Sequence, residues 1–138
     1  MTITKHAALL LTTLVVLTGL LNAQTSGAIK TQVPFEFVAN GETMPASECT
    51  IAVAVNGQTL LSISSGERHA YVLPITDASP NARKKTALVF HQYGNQYFLT
   101  GIKRENGSGY QLPASKLERE LQARNVPWQV FTLLASAK

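Results

Sequence analysis

The stretch LVFHQYGNQYFLTG, Leu88 to Gly101, decides how this chain folds. Two runs of alternating apolar and polar residues flank Gly94-Asn95, and a period of two marks a strand with one face buried. Glycine at the first central position suits a type II′ turn, whose twist matches the strands it joins. A two-residue turn there pairs Tyr93 with Gln96, His91 with Phe98, Phe90 with Leu99 and Leu88 with Gly101. The side chains then divide between faces. Leu88, Phe90, Tyr97 and Leu99 share one, which reads as core. Val89, His91, Tyr93 and Phe98 share the other, which suits either a partner-contact surface or a face covered by another element.

Working outward, the same grammar repeats without any longer internal period. Ile29 to Ala39 reads as a first strand with Val33, Phe35 and Phe37 on one face, and Pro34 argues for an edge or an irregular start. Cys49, Ile51, Val53 and Val55 alternate with smaller residues up to Asn56-Gly57, the strongest short hairpin signal. A two-residue loop at that point sets Val55 against Gln58, Val53 against Leu60 and Ile51 against Ser62. His69 to Ile75 forms a fourth strand ended by Pro74. Near the C-terminus, Ser115 and Glu118 have the spacing of a capping box that opens a short helix. So short a helix is marginal alone in water, so Leu117 and Leu121 are expected to dock it on the sheet. Pro127 stops it, and Trp128 to Leu134 makes a last strand. The fold class that follows is mainly β: an antiparallel sandwich or partly open barrel of six to eight strands with one short surface helix.

The N-terminus has a different character. Lys5 precedes an uncharged run, Ala7 to Leu21, and small polar residues follow it, which is the layout of a secretory signal peptide. At about 1.5 Å per residue that run falls short of the ~30 Å hydrocarbon core of a bilayer. The expected organisation is a signal peptide over 1–23 and a single β-rich domain over 24–138, with cleavage after Ala28 or an uncleaved anchor as alternatives. No transmembrane span is expected after processing, and the destination is periplasmic or extracellular. A domain of this size buries roughly two-thirds of its unfolded surface, enough for a core without staples. It needs that, because Cys49 is the single cysteine and no internal disulfide can form.

The motifs VPFEFVANGETMPASECTI, LVFHQYGNQYFLTGI and YQLPASKLERELQ together resemble a group of small secreted bacterial proteins. That group runs PF-[DE]-F, LPAG-x-Y-x-V, LVFH-x-YG-x-x-YFL, then LP-x-S and a charged helix. The resemblance spans nearly all of the mature chain and implies export, but it carries no activity with it. The second motif also looks like a turn and strand of prealbumin-like and immunoglobulin-like sandwiches, an analogy of fold alone. Ser47 stands where that group has glycine, and Cys49 where it has tyrosine. The first departure implies a turn without positive φ there; the second removes an aromatic from the core.

Candidate chemistry is sparse. His69 and His91 lie on different strands, and no metal-ligand spacing surrounds them. Cys49 points to the core, and no serine stands in a nucleophile-elbow context. Glu118 and Glu120 are accounted for by helix capping and pairing. The net charge of +4 falls to +3 once Lys5 is removed, and Arg83, Lys84 and Lys85 form the one basic run, in loop-like sequence. Nucleic acid binding wants clustered cations with stacking aromatics and is not expected. The sequence therefore points to an exported, non-catalytic module that needs no cofactor. Its partner is a protein or envelope component, or a second copy, contacted through Val89, His91, Tyr93 and Phe98; the alternative is a small hydrolase using His91.

Overall fold

The computed structural model describes residues 28–55, 59–78, 85–105 and 107–137. The expected signal peptide and its expected cleavage after Ala23, the expected Asn56-Gly57 turn, Arg83, Lys84 and Asn106 lie outside the described residues. Numbered in chain order, the strands form two sheets. The first sheet runs, from edge to edge, β12 (Ser136–Ala137), β1 (Ile29–Val33), β4 (Ser47–Val55), β5 (Thr59–Ser65) and β6 (Arg68–Val72). The second runs β11 (Gln129–Leu134), β8 (Ala87–Tyr93), β9 (Gln96–Lys103), β10 (Ser108–Gln111) and β7 (Ile75–Ala78). A small hairpin, β2 (Phe37–Ala39) and β3 (Glu42–Met44), joins it where β2 runs parallel to β9 at Val38 and Phe98. Among the described residues all other pairings are antiparallel, one sheet curls into a half-barrel, and the one helix, α1, spans Lys116–Ala123.

The mainly β class read from the sequence holds, and the strands are more numerous because long runs are shared between sheets. Ile29 to Ala39 is not one strand: β1 ends at Val33 and β2 begins at Phe37 in the other sheet. The run from His69 to Ile75 divides likewise, β6 in the first sheet and β7 in the second. Proline marks these transfers. Pro34 lies between β1 and β2, Pro45 between β3 and β4, and Pro74 between β6 and β7. A residue without an N–H cannot continue a ladder, so the chain leaves one sheet there and enters the next. Ala135 makes the fourth transfer, between β11 and β12, where its N–H donates to the Thr86 carbonyl at 2.9 Å.

Between the sheets lies the core, with Val33, Phe37, Met44, Ile51, Leu61, Ile63, Leu88, Phe90 and Ile102 all buried. Phe35 packs edge-on to Phe90 at 5.1 Å and stacks on Tyr97 at 3.9 Å, and Phe37 meets Phe90 edge-on at 5.5 Å. Cys49 is fully buried there, and burial pushes its thiol up to about 12. Ser47 has no positive φ, so the serine is compatible with the turn it enters.

Two registers differ in instructive ways. In β4–β5 the pairs are Val53 with Leu61 and Ile51 with Ile63, and Val55 faces Thr59 rather than Gln58. The expected register was one residue out. A slip of one turns a whole strand over, and only the observed pairing puts Ile51, Leu61 and Ile63 on the same buried side. In β8–β9 the turn behaves as expected: Gly94 has φ +59, and Tyr93, His91 and Phe90 pair with Gln96, Phe98 and Leu99. Beyond Phe90 a bulge intervenes, so Val89 pairs with Gly101 and Leu88 with Ile102. The extra residue is Thr100, whose Oγ1 donates to the Val89 carbonyl at 3.2 Å. Its effect is to turn Ile102 rather than Gly101 toward the core.

Candidate functional site

The outer face of the second sheet carries the polar chemistry. Val89, His91 and Tyr93 alternate outward from β8, and α1 lies over them. The helix begins as the sequence suggests, with Ser115 at its N-cap accepting from the Glu118 N–H at 3.2 Å. The other half of the capping box is diverted. Glu118 does not serve the cap; its side chain turns to the sheet and is 2% exposed. Its Oε1 accepts the Tyr93 hydroxyl at 3.1 Å and lies 2.7 Å from Nδ1 of His91. One turn further along, Gln122 Nε2 donates to the Tyr93 oxygen at 3.2 Å. Glu118 and Gln122, four apart, thus form the sheet-facing stripe of α1.

This corrects the docking expected of the leucines. Leu117 is 41% exposed and Leu121 is half-buried, so the helix is held by a carboxylate where an apolar stripe was anticipated. The reason is the underlying surface. Tyr93 and His91 present a hydroxyl and an imidazole N–H, and a buried polar group left unpaired costs about 1–3 kcal/mol, so the acid faces inward. Burial raises the Tyr93 pKa first of all; the Gln122 hydrogen bond works against that, and the Glu118 carboxylate adds to it. The phenol therefore stays protonated and remains a donor to Glu118.

Trp128, just before β11, completes the cluster. Its ring centroid lies 4.3 Å from that of His91, tilted by 33°, and 6.3 Å from that of Tyr93. The imidazole is thereby held between a carboxylate and an indole. Its Nδ1 is committed to Glu118, while Nε2 has no hydrogen-bond partner among the described residues. Beside it opens a cleft of ≈ 330 Å³, lined by His91, Glu118 and Gln122 together with Gly101, Lys103 and Gln111.

Of the four residues placed on the contact face from sequence, the hairpin does bring all four to one region. Val89 and His91 remain half-buried. Tyr93 and Phe98 are buried, at 4% and 1% exposed, with their rings edge-on at 5.5 Å. Of the two readings left open for this face, cover by another element describes Tyr93. His69 is exposed on β6 in the other sheet and takes no part, and Lys85 is exposed in its loop. Glu118, Gln122 and Trp128 were missed as site residues. The i, i+4 spacing of Glu118 and Gln122 was the available signal, but Leu117 and Leu121 offer the same spacing one position away.

Chemically, an imidazole oriented by a buried carboxylate is the base half of a nucleophile–base pair. The nucleophile half is not beside it among the described residues. The Cys49 thiol belongs to the core, and the Thr100 hydroxyl, which borders the cleft, gives its proton to Val89. No three His, Cys, Asp or Glu side chains converge among the described residues. No helix among them is long and apolar enough to cross a membrane. No protein-family model, curated protein or solved structure matches the chain.

Proposed function

We propose that the chain is an exported, non-catalytic binding module, acting in the periplasm or outside the cell, that takes a protein partner of the envelope or extracellular space along strand β11. The signal-like N-terminus and the resemblance to secreted bacterial proteins support export. One observation carries the binding: β11 is an unguarded edge. Gln129 to Leu134 pairs with β8 alone, contains neither charge nor proline, and leaves Val130 and Leu134 58% and 60% exposed. Sheet edges are ordinarily blunted by lysine, proline or a cover, and an apolar row on an open edge marks a place where another chain adds. Replacing Val130 and Leu134 with lysine leaves the core intact, so melting should stay near that of the parent while crosslinking to the partner is lost. Capture that persists in the doubly charged variant would sink the proposal.

The His91–Glu118 pair favours a second reading, a small hydrolase in which Nε2 of His91 activates water at the cleft. It requires turnover on some ester, peptide or glycan that His91→Ala abolishes in protein that still unfolds cooperatively. A parent protein inert across such a panel ends it.

A further inference from the structure

The open edge of β11 has a symmetry of its own. Val130, Thr132 and Leu134 pair with His91, Val89 and Ala87 and so stand on the outer face. Phe131 and Leu133, opposite Phe90 and Leu88, turn to the core side. We propose that the chain taken up along β11 is a second copy of this protein, docked antiparallel about a twofold axis through Thr132. The inference rests on reading β11 as a docking edge and names its occupant.

The backbone is set for this contact. The β8–β11 register runs on to Ala135 and Thr86, where the Ala135 N–H donates to the Thr86 carbonyl at 2.9 Å. Along an antiparallel strand, residues that bond one neighbour alternate with residues that turn away from it. Phe131 and Leu133 therefore bond to β8, while Val130, Thr132 and Leu134 direct N–H and C=O to the open edge. The Leu134 carbonyl accordingly takes its bond from elsewhere, Thr31 Oγ1 at 3.4 Å, and keeps a second lone pair. A twofold at Thr132 makes that residue a hydrogen-bonded pair with its own copy and sets Val130 against the partner's Leu134. All three edge residues then exchange both backbone bonds.

The side chains match under the same axis. On the outer face the two exposed apolar residues of the strand, Val130 and Leu134, meet across it, and threonine meets threonine. On the inner face Phe131 meets the partner's Leu133, each half-buried in the single chain. Such cross-strand pairs are what stabilise a sheet. A foreign strand need only complement β11, whereas a twofold contact demands that β11 complement itself. Other axes spoil the match: one through Phe131 sets Val130 against threonine, and one through Leu133 sets it against serine. Charge does not oppose the contact, because β11 carries none although the chain as a whole is +4.

Sedimentation velocity of the exported protein should show a dimer that dissociates on dilution. Thr132→Cys should trap that dimer covalently under mild oxidation, because directly opposed residues lie about 5.5 Å apart between Cα atoms, within disulfide reach. Cys49, the single native cysteine, is fully buried and does not compete. Val130→Cys alone should fail to link, yet link when mixed with Leu134→Cys. Thr132→Pro removes an N–H that β8 does not use. That variant, and lysine at Val130 and Leu134, should each sediment as a folded monomer by circular dichroism. A parent that is monomeric at every concentration would overturn the second copy; if the lysines still abolish capture of another envelope protein, the docking edge itself stands. A dimer that survives both variants, or that links through Phe131→Cys in place of Thr132→Cys, would overturn the proposal as well.

Discussion

Strand β8 shows two faces of one peptide solved by opposite means. Inward, Leu88 and Phe90 are fully buried among other apolar side chains. Outward, His91 and Tyr93 are covered by a helix whose contact residue is an acid, 2% exposed. The inner face is non-directional: each side chain gains by leaving water, and neighbours are exchangeable within limits of volume. The outer face is directional. Its cover holds because four polar groups, His91, Glu118, Tyr93 and Gln122, are joined by three hydrogen bonds of 2.7 to 3.2 Å, and removing Glu118 or Tyr93 breaks two of them.

The largest effect expected is on the inner side. Phe90→Ala empties space between Phe35 and Phe37 and should cost about 3–5 kcal/mol by denaturant unfolding. A smaller loss would mean that the aromatic cluster collapses to fill the hole. On the outer side, Glu118→Ala should cost about 2–3 kcal/mol, because Tyr93 and His91 lose their shared acceptor while water reaches the half-buried imidazole. Glu118→Ala should also raise hydrogen exchange throughout α1 while leaving β8 and β9 protected.

Alkali distinguishes the faces by mechanism. The Cys49 thiol rises from 9.0 to about 12 through burial alone, and the Tyr93 phenol rises through burial and the adjacent carboxylate. Both groups hold their protons more tightly when folded, so their contribution is present below the unfolded pKa and fades as pH climbs. Stability should fall from about pH 9 toward about pH 12, and Tyr93→Phe should remove only the phenol's share of that slope. A pH-independent melting temperature across that window would contradict both assignments. The smallest effect belongs to the side chain that sequence favoured: Leu117→Ser, at an exposed position, should change stability by no more than about 0.5 kcal/mol.

What could be read in advance follows the same division. Alternation around Gly94-Asn95 identified the inner face, and the first pairs of the β8–β9 ladder, because burial on one side of a strand imposes a period of two. It failed at Thr100, since a bulge inserts a residue without changing local composition. The β4–β5 register was misread because turn preference was weighed ahead of the demand that Ile51, Leu61 and Ile63 share a side. Pro34 was recognised as an irregularity, but not as the point where the chain changes sheets. The candidate site was half legible. Val89, His91 and Tyr93 were placed on one face, yet Glu118 had a sufficient local explanation as a capping residue. Its actual partners lie 25 and 27 positions away in sequence, where no local pattern reaches.

A double-mutant cycle between Glu118 and Tyr93 tests the acid clamp most directly. Glu118→Ala, Tyr93→Phe and the combined variant, unfolded in denaturant beside the parent, should show a coupling of about 1–2 kcal/mol. Losses that simply add, to within about 0.3 kcal/mol, would mean that the helix is held by something other than the carboxylate beneath it.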